Sequence, residues 1–243
     1  MYGLGTIINT AAIVVGGLLG LLFGRFIPEK FRDTLTKACG VSVLVIGVAG
    51  ALKGMLTVGE GGKITASGDL LIVLCVTLGG LLGELCRIES GLECFGAFLK
   101  RKTGSAKDKN FIDGFLTATF TVCIGAMAIV GAINDGIYGD ITVLVTKSIL
   151  DFVIIMIMAA SLGKGAVFSA IPVALLQGSV TALSRLILPI MTERALLCLS
   201  VVGNVLIFCV GINLVWGKKI RVANLLPALL LAVGVAFIPM ELI

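Results

Sequence analysis

Eight apolar segments, each close to the length of a membrane-spanning helix, dominate this sequence of 243 residues. A helix needs roughly 20 mostly apolar residues to cross about 30 Å of hydrocarbon, and lipid requires every backbone polar group to be bonded within the protein. Hydrophobic residues make up 58% of the chain and charged residues 14%, against about 45–50% and about 25% in soluble domains. The sequence therefore predicts an all-α polytopic membrane protein and excludes an ordinary soluble domain.

The predicted helices follow one another along the whole chain with short connections. The sixth segment is the least regular, because Pro172, Gln177 and Arg185 interrupt its apolar run. We therefore predict eight helices, with seven as the alternative if the sixth segment does not span. The predicted bounds are Gly5–Gly24, Ala38–Leu56, Asp69–Leu85, Ile112–Ile133, Ile141–Leu162, Gly165–Leu186, Ala195–Val215 and Ala223–Leu242.

Lysine and arginine are distributed unevenly between the two sets of loops. Fourteen of the 19 lie in the loops after segments one, three, five and seven, four lie in the alternate loops, and Lys147 lies inside segment five. Because cytoplasmic loops carry the excess of positive charge, this distribution predicts that both termini lie outside. The net charge of +5 reflects the same bias, and we expect no nucleic-acid partner.

Segments one to three resemble segments six to eight, which indicates an internal repeat; Gly47, for example, aligns with Gly211. Five segments separate the starts of the two units, so the units enter the membrane from opposite sides. Such inverted repeats are typical of secondary transporters, whose sites lie near the midplane between the repeats. Within one transmembrane domain, residues 1–243, we therefore predict repeat one (1–85), a cytoplasmic amphipathic loop (86–111), a central two-helix unit (112–163) and repeat two (164–243).

Lys147 and Asp151 lie within the fifth segment, four residues apart, and therefore share one face of the helix. At about 1.5 Å per residue from Ile141, Asp151 lies about 15 Å deep, near the midplane. An ionised group at that depth is costly unless it is paired or hydrated. The two residues are either a buried structural ion pair or the centre of an ion, proton or substrate site.

Four uncharged or acidic polar residues are further candidates for binding an ion or substrate. Asn9 and Gln177 interrupt apolar runs, and they either bind a ligand or form hydrogen bonds between helices. Pro172 lies one turn before Gln177 and frees a backbone carbonyl, which predicts a broken helix there. Asn134 and Asp135 are predicted in an acidic external loop, which is either a solvated turn or a vestibule that attracts cations.

The sequence contains no histidine, which removes histidine-dependent catalysis and histidine metal sites. The seven cysteines include no C-x-x-C pair, and most of them lie in apolar runs where a thiol acts as a small hydrophobe. No nucleophile–base pair and no nucleotide-binding loop can be read. We therefore expect no enzymatic activity and no cofactor, and we assign no metal ligands.

The sequence contains the motifs Gly5–Gly20, Cys123–Gly136, Lys147–Asp151 and Val222–Leu229. With these motifs, the chain resembles the YdfK/YqgA-type family of bacterial membrane proteins, which is defined by a domain of unknown function. The resemblance implies a location in the bacterial cytoplasmic membrane and supplies no substrate or site. A weaker similarity links the segment Leu199–Leu214 to LysE-type and manganese exporters. The family resemblance covers essentially the whole chain.

These observations favour a secondary transporter or permease for a small ion or polar solute. The alternative is a membrane protein without transport activity that serves as a scaffold or senses the envelope. The lipid bilayer is the expected partner. Gly16, Gly20 and Gly24 form small-xxx-small steps that either pack helices within the monomer or form a homo-oligomer interface.

Overall fold

The computed structural model describes residues 2–58, 62–105, 108 and 110–238. Apart from one short antiparallel hairpin, which pairs Leu56–Val58 with Ile64–Ala66, the regular structure of these residues is helical. The α-helices are α1 (Leu4–Gly24), α2 (Glu29–Met55), α3 (Asp69–Leu85), α4 (Ile88–Lys102), α5 (Phe111–Cys123), α6 (Ala126–Tyr138), α7 (Thr142–Leu162), α8 (Ala170–Ala182), α9 (Ser184–Ile187), α10 (Glu193–Trp216) and α11 (Pro227–Val235).

Five helical segments among the described residues are long and apolar enough to cross a membrane, and the number rises to seven if each of two bent pairs forms one span. The five are α1, α2, α7, α10 and the run Lys164–Ala182, which joins a 3₁₀ segment to α8. The eighth predicted segment forms the shorter helical stretch Val222–Val235, and its predicted end at Leu242 lies outside the described residues. The chain is a polytopic all-α membrane protein.

Helix α1 packs closely along α7 through the three glycines of its small-xxx-small face. A Cβ added at Gly16 would lie 2.5 Å from the carbonyl oxygen of Phe152, and one added at Gly20 would meet the carbonyl oxygen of Met156. Glycine therefore allows the two backbones to touch. This face, which the sequence left open to either role, is occupied within the monomer.

The helices that the predicted repeat matches lie against each other: α1 contacts α8, α2 contacts α10 and α3 contacts α11. At the α2–α10 contact, a Cβ on Gly47 would lie 2.7 Å from the nitrogen of Phe208, and one on Gly211 would lie 2.8 Å from the nitrogen of Leu44. The inverted repeat itself stays a prediction.

The fourth segment, which the sequence predicts as one helix, is broken into α5 and α6. Helix α5 ends at Cys123, Ile124 is extended, and the axis of α6 is turned by 61° from that of α5. Gly125, between the two helices, has φ 156°, a conformation that residues with a side chain rarely adopt. The glycine therefore allows the sharp turn.

The break predicted at Pro172 is wrong. Pro172 lies in the first turn of α8, where the missing backbone N–H is not needed, and the helix continues through Gln177 to Ala182. The irregular backbone of this segment instead precedes the helix, in the 3₁₀ segment Lys164–Ser169.

Candidate functional site

Lys147 and Asp151 form a closed ion pair in the interior. They lie one turn apart on the face of α7 that packs into the protein and are 8% and 3% exposed. The ammonium nitrogen of Lys147 donates to Asp151 Oδ1 at 2.8 Å and to Oδ2 at 2.6 Å. Both charges are thus compensated at a depth where either alone would be costly.

Asn9 and Gln177 join this pair from two other helices. Asn9 Nδ2 on α1 donates to Asp151 Oδ2 at 3.1 Å and to Gln177 Oε1 on α8 at 3.2 Å. An ionised carboxylate can only accept hydrogen bonds, so the NH₂ group of Asn9 must face Asp151. The second hydrogen of this NH₂ group needs an acceptor, so the carbonyl oxygen of Gln177 must face Asn9. We call Asn9, Lys147, Asp151 and Gln177 the polar cluster.

Two atoms of the polar cluster have no hydrogen-bond partner among the described residues. They are Asn9 Oδ1, an acceptor, and Gln177 Nε2, a donor. Asn9 is fully buried and Gln177 is 1% exposed. Leaving a buried polar group unpaired costs about 1–3 kcal/mol, so these two atoms mark a place where a water molecule or a polar solute would be bound favourably.

The polar cluster also contacts the break between α5 and α6. Lys147 Nζ donates to the carbonyl oxygen of Val122 at 2.8 Å. Val122 lies in the last turn of α5, where carbonyl groups have no partner within the helix and where the helix dipole attracts positive charge. The ammonium group therefore links the carboxylate of α7 to the end of a broken helix.

Asn134 and Asp135 do not belong to the polar cluster, and their prediction as an external loop is wrong. Both lie within α6. Asp135 is fully buried, and its carboxylate accepts from the backbone nitrogens of Gly3 and Gly5, each at 3.0 Å. It caps the first turn of α1, where unpaired N–H groups favour a negative charge.

Two features of the structure are not predicted from the sequence. The carbonyl of Val122 is a backbone group, and its only sequence signal is the glycine that follows at position 125. The second feature is an ionic network in which Lys218 bridges Glu89 and Glu93 of α4, and Arg221 pairs with Glu84 at 2.7 Å. Within the part of the chain that is described, no three acidic or cysteine side chains cluster in a way that would hold a metal ion.

The family model for proteins of unknown function numbered DUF554 matches residues 4–237. The chain belongs to this family. It is 33% identical over 233 residues to the uncharacterized protein YqgA of Escherichia coli strain K12, with 94% of each chain covered. It is 26% identical over 234 residues to the uncharacterized membrane protein YdfK of Bacillus subtilis strain 168, with 96% of each chain covered. No solved structure matches.

Proposed function

We propose that this protein is a secondary transporter or permease that carries a small ion or polar solute past the polar cluster. The observation that carries the proposal is the unpaired acceptor of Asn9 and the unpaired donor of Gln177 beside a buried ion pair. A purely structural cluster gains stability when every polar atom is paired, because each unpaired one costs free energy. A site that must bind and release a solute keeps such atoms available.

The broken helix and the helix pairing support this proposal. In secondary transporters, the ends of broken helices contribute backbone groups to sites at the interface of inverted repeats. Here the end of α5 supplies the carbonyl of Val122 to Lys147, and the matched helices α1 and α8 supply Asn9 and Gln177. In the membrane of the cell, we propose both termini outside, on the basis of the loop charges.

One observation favours the alternative of a scaffold or sensor without transport activity. The ion pair is closed, and neither Lys147 nor Asp151 lines the two cavities found near the start of α4 and the end of α10. A closed ion pair that lines no cavity is also expected in a transporter at rest between its open states. The two functions therefore differ in what happens at the polar cluster when a solute is supplied.

The test is solute flux through the purified full chain reconstituted in liposomes. The probes are labelled sodium, labelled rubidium and a mixture of labelled amino acids, each supplied with and without a proton gradient. The variants are Asn9→Ala and a matched control, Thr10→Ala, whose hydroxyl bonds only the carbonyl of Thr6 in its own helix at 2.8 Å. We expect flux of at least one probe, lost in Asn9→Ala and retained in Thr10→Ala.

Folding of each variant is checked by its elution profile and helicity before flux is compared. Absence of flux for every probe, in protein that is folded and correctly inserted, would favour the scaffold function. Equal flux in the folded Asn9→Ala variant would remove the polar cluster from the transport path.

A further inference from the structure

A cavity of about 280 Å³ lies at the end of the molecule where α5 begins, α10 ends and α4 begins. We call it the α5–α10 cavity. Its lining combines carboxylates and other polar side chains with aliphatic and aromatic ones. The residues used in the argument are Glu89, Asp113, Leu116, Phe120, Leu214 and Lys218.

Glu89 is the most informative residue of this wall. Its side chain is 7% exposed, and its Oε1 atom lies 2.8 Å from the ammonium nitrogen of Lys218. Its Oε2 atom is buried and has no hydrogen-bond partner among the described residues. A buried carboxylate oxygen without a donor is costly, so this atom favours a ligand that carries a donor, above all a cationic one.

The charge balance around the cavity also favours a cation. Lys218 pairs with Glu89 and Glu93, and the carboxylates that line the cavity are Glu89 and Asp113. Partial burial lowers the pKa of Lys218, but the hydrogen bonds and charges of the two glutamates outweigh burial and raise its pKa above the usual value. The cavity lining thus holds two carboxylates and one ammonium group, which leaves one negative charge for a second cation.

The shape of the wall selects the kind of cation. Metal ions such as Mg²⁺ and Ca²⁺ require oxygen atoms on all sides. Here apolar side chains, including Leu116, Phe120 and Leu214, line the cavity together with the polar groups. The lining therefore does not surround the space with oxygen atoms and can accept an alkyl chain. Glu89 already pairs with the primary ammonium group of Lys218 through Oε1. Its Oε2 atom can accept a hydrogen bond from a second ammonium group in the same way.

We propose that the α5–α10 cavity binds a small aliphatic ammonium ion. Its charged head lies on Glu89 Oε2 and Asp113, and its alkyl chain lies against Leu116 and Leu214. This site is separate from the polar cluster, and the binding does not depend on the proposed transport activity.

The experiment measures binding of n-butylammonium chloride to the purified full chain by calorimetry and thermal unfolding. Potassium chloride at equal ionic strength tests for inorganic cations, and sodium butyrate tests an alkyl chain that carries the opposite charge. We expect butylammonium to bind and to raise the unfolding temperature beyond both salts. Ethylammonium should bind more weakly, by about 2- to 4-fold for each methylene removed.

Two variants and one control locate the site. Glu89→Gln should weaken butylammonium binding at least about tenfold, which corresponds to the loss of one charge-assisted hydrogen bond. Asp113→Asn, at a partly exposed position, should weaken it several-fold. Asp33→Asn, which removes an exposed carboxylate that pairs with Lys37, should leave binding unchanged.

Several results would overturn the proposal. They are butylammonium stabilisation no greater than that by potassium chloride, affinity that does not depend on chain length, and unchanged binding in the folded Asp113→Asn variant. Binding without flux in liposomes would leave the cavity assignment intact and count only against the transport proposal. Flux of sodium or amino acids without butylammonium binding would leave the transport proposal intact and count only against the cavity assignment.

Discussion

Breaking the Lys147–Asp151 pair from one side is expected to cost much more stability than removing both charges. In Lys147→Met, the carboxylate of Asp151 loses both contacts from the ammonium group, at 2.8 and 2.6 Å, and keeps only the amide of Asn9 at 3.1 Å. Hydrogen bonds to charged groups contribute about 1.5–3 kcal/mol each. The variant also leaves an uncompensated buried charge, and such breaks cost about 3–5 kcal/mol.

The double variant Lys147→Met/Asp151→Asn removes both charges and keeps an oxygen at position 151 that accepts from Asn9. The costs that remain are the donor lost by the carbonyl of Val122 and the new NH₂ group at position 151, each about 1–3 kcal/mol. The double variant is therefore expected to be more stable than Lys147→Met alone. The coupling between the two substitutions should be about 2 kcal/mol or more.

The assay is reversible unfolding in mixed micelles with increasing dodecyl sulfate, followed by far-ultraviolet circular dichroism. Ser148→Ala is the matched control, because Ser148 is also buried on α7 and its hydroxyl bonds only the carbonyl of Val145 in the same helix. It should change stability by less than about 1 kcal/mol. A Lys147→Met variant as stable as the control, or a double variant less stable than Lys147→Met, would refute the reasoning.

Three further predictions concern packing, helix capping and pH. Gly20→Val should destabilise the α1–α7 contact by about 1–3 kcal/mol, because the added Cβ meets the backbone of α7. Gly178→Ala is the control, because the space around its Cβ is open. In the same unfolding assay it should be neutral or stabilising by up to about 1 kcal/mol. Asp135→Ala should cost about 1–3 kcal/mol and speed amide hydrogen exchange in the first turn of α1; unchanged exchange there would exclude the cap. The pKa of Lys218 in the folded protein is raised above 10.5, so its charge stabilises the fold below pH 10.5. The difference in unfolding free energy between the protein and Lys218→Met should therefore shrink as the pH rises through the folded pKa. A difference that grows at high pH would contradict the assigned pairing.

Much of the site was visible in the sequence because it depends on local spacing. The four-residue separation of Lys147 and Asp151 places both on one face of any helix, and the structure pairs them. Asn9 and Gln177 were identified as polar residues in apolar runs. The local sequence does not predict their contacts, because Asn9 lies 142 positions from Asp151 and 168 positions from Gln177 along the chain.

Other outcomes required the tertiary structure because neighbouring helices override local preference. The pattern around Asn134 and Asp135 reads as a solvated turn, but Asp135 is held inside α6 by the free N–H groups of α1. Pro172 reads as a helix breaker, but a preceding 3₁₀ segment places it in a first turn, where proline is tolerated. The actual break occurs at Gly125.

The sequence by itself determined the membrane class, the order of the helices and the buried charge pair, because these follow from hydrophobic length and helical periodicity. Only the tertiary structure decided which polar atoms are paired and which are not. That distinction separates a closed structural pair from a candidate binding site, and it arises where α1, α7 and α8 meet the end of α5. The physical reason is that hydrogen-bond satisfaction in a membrane interior is a property of several helices together, and no single segment contains it.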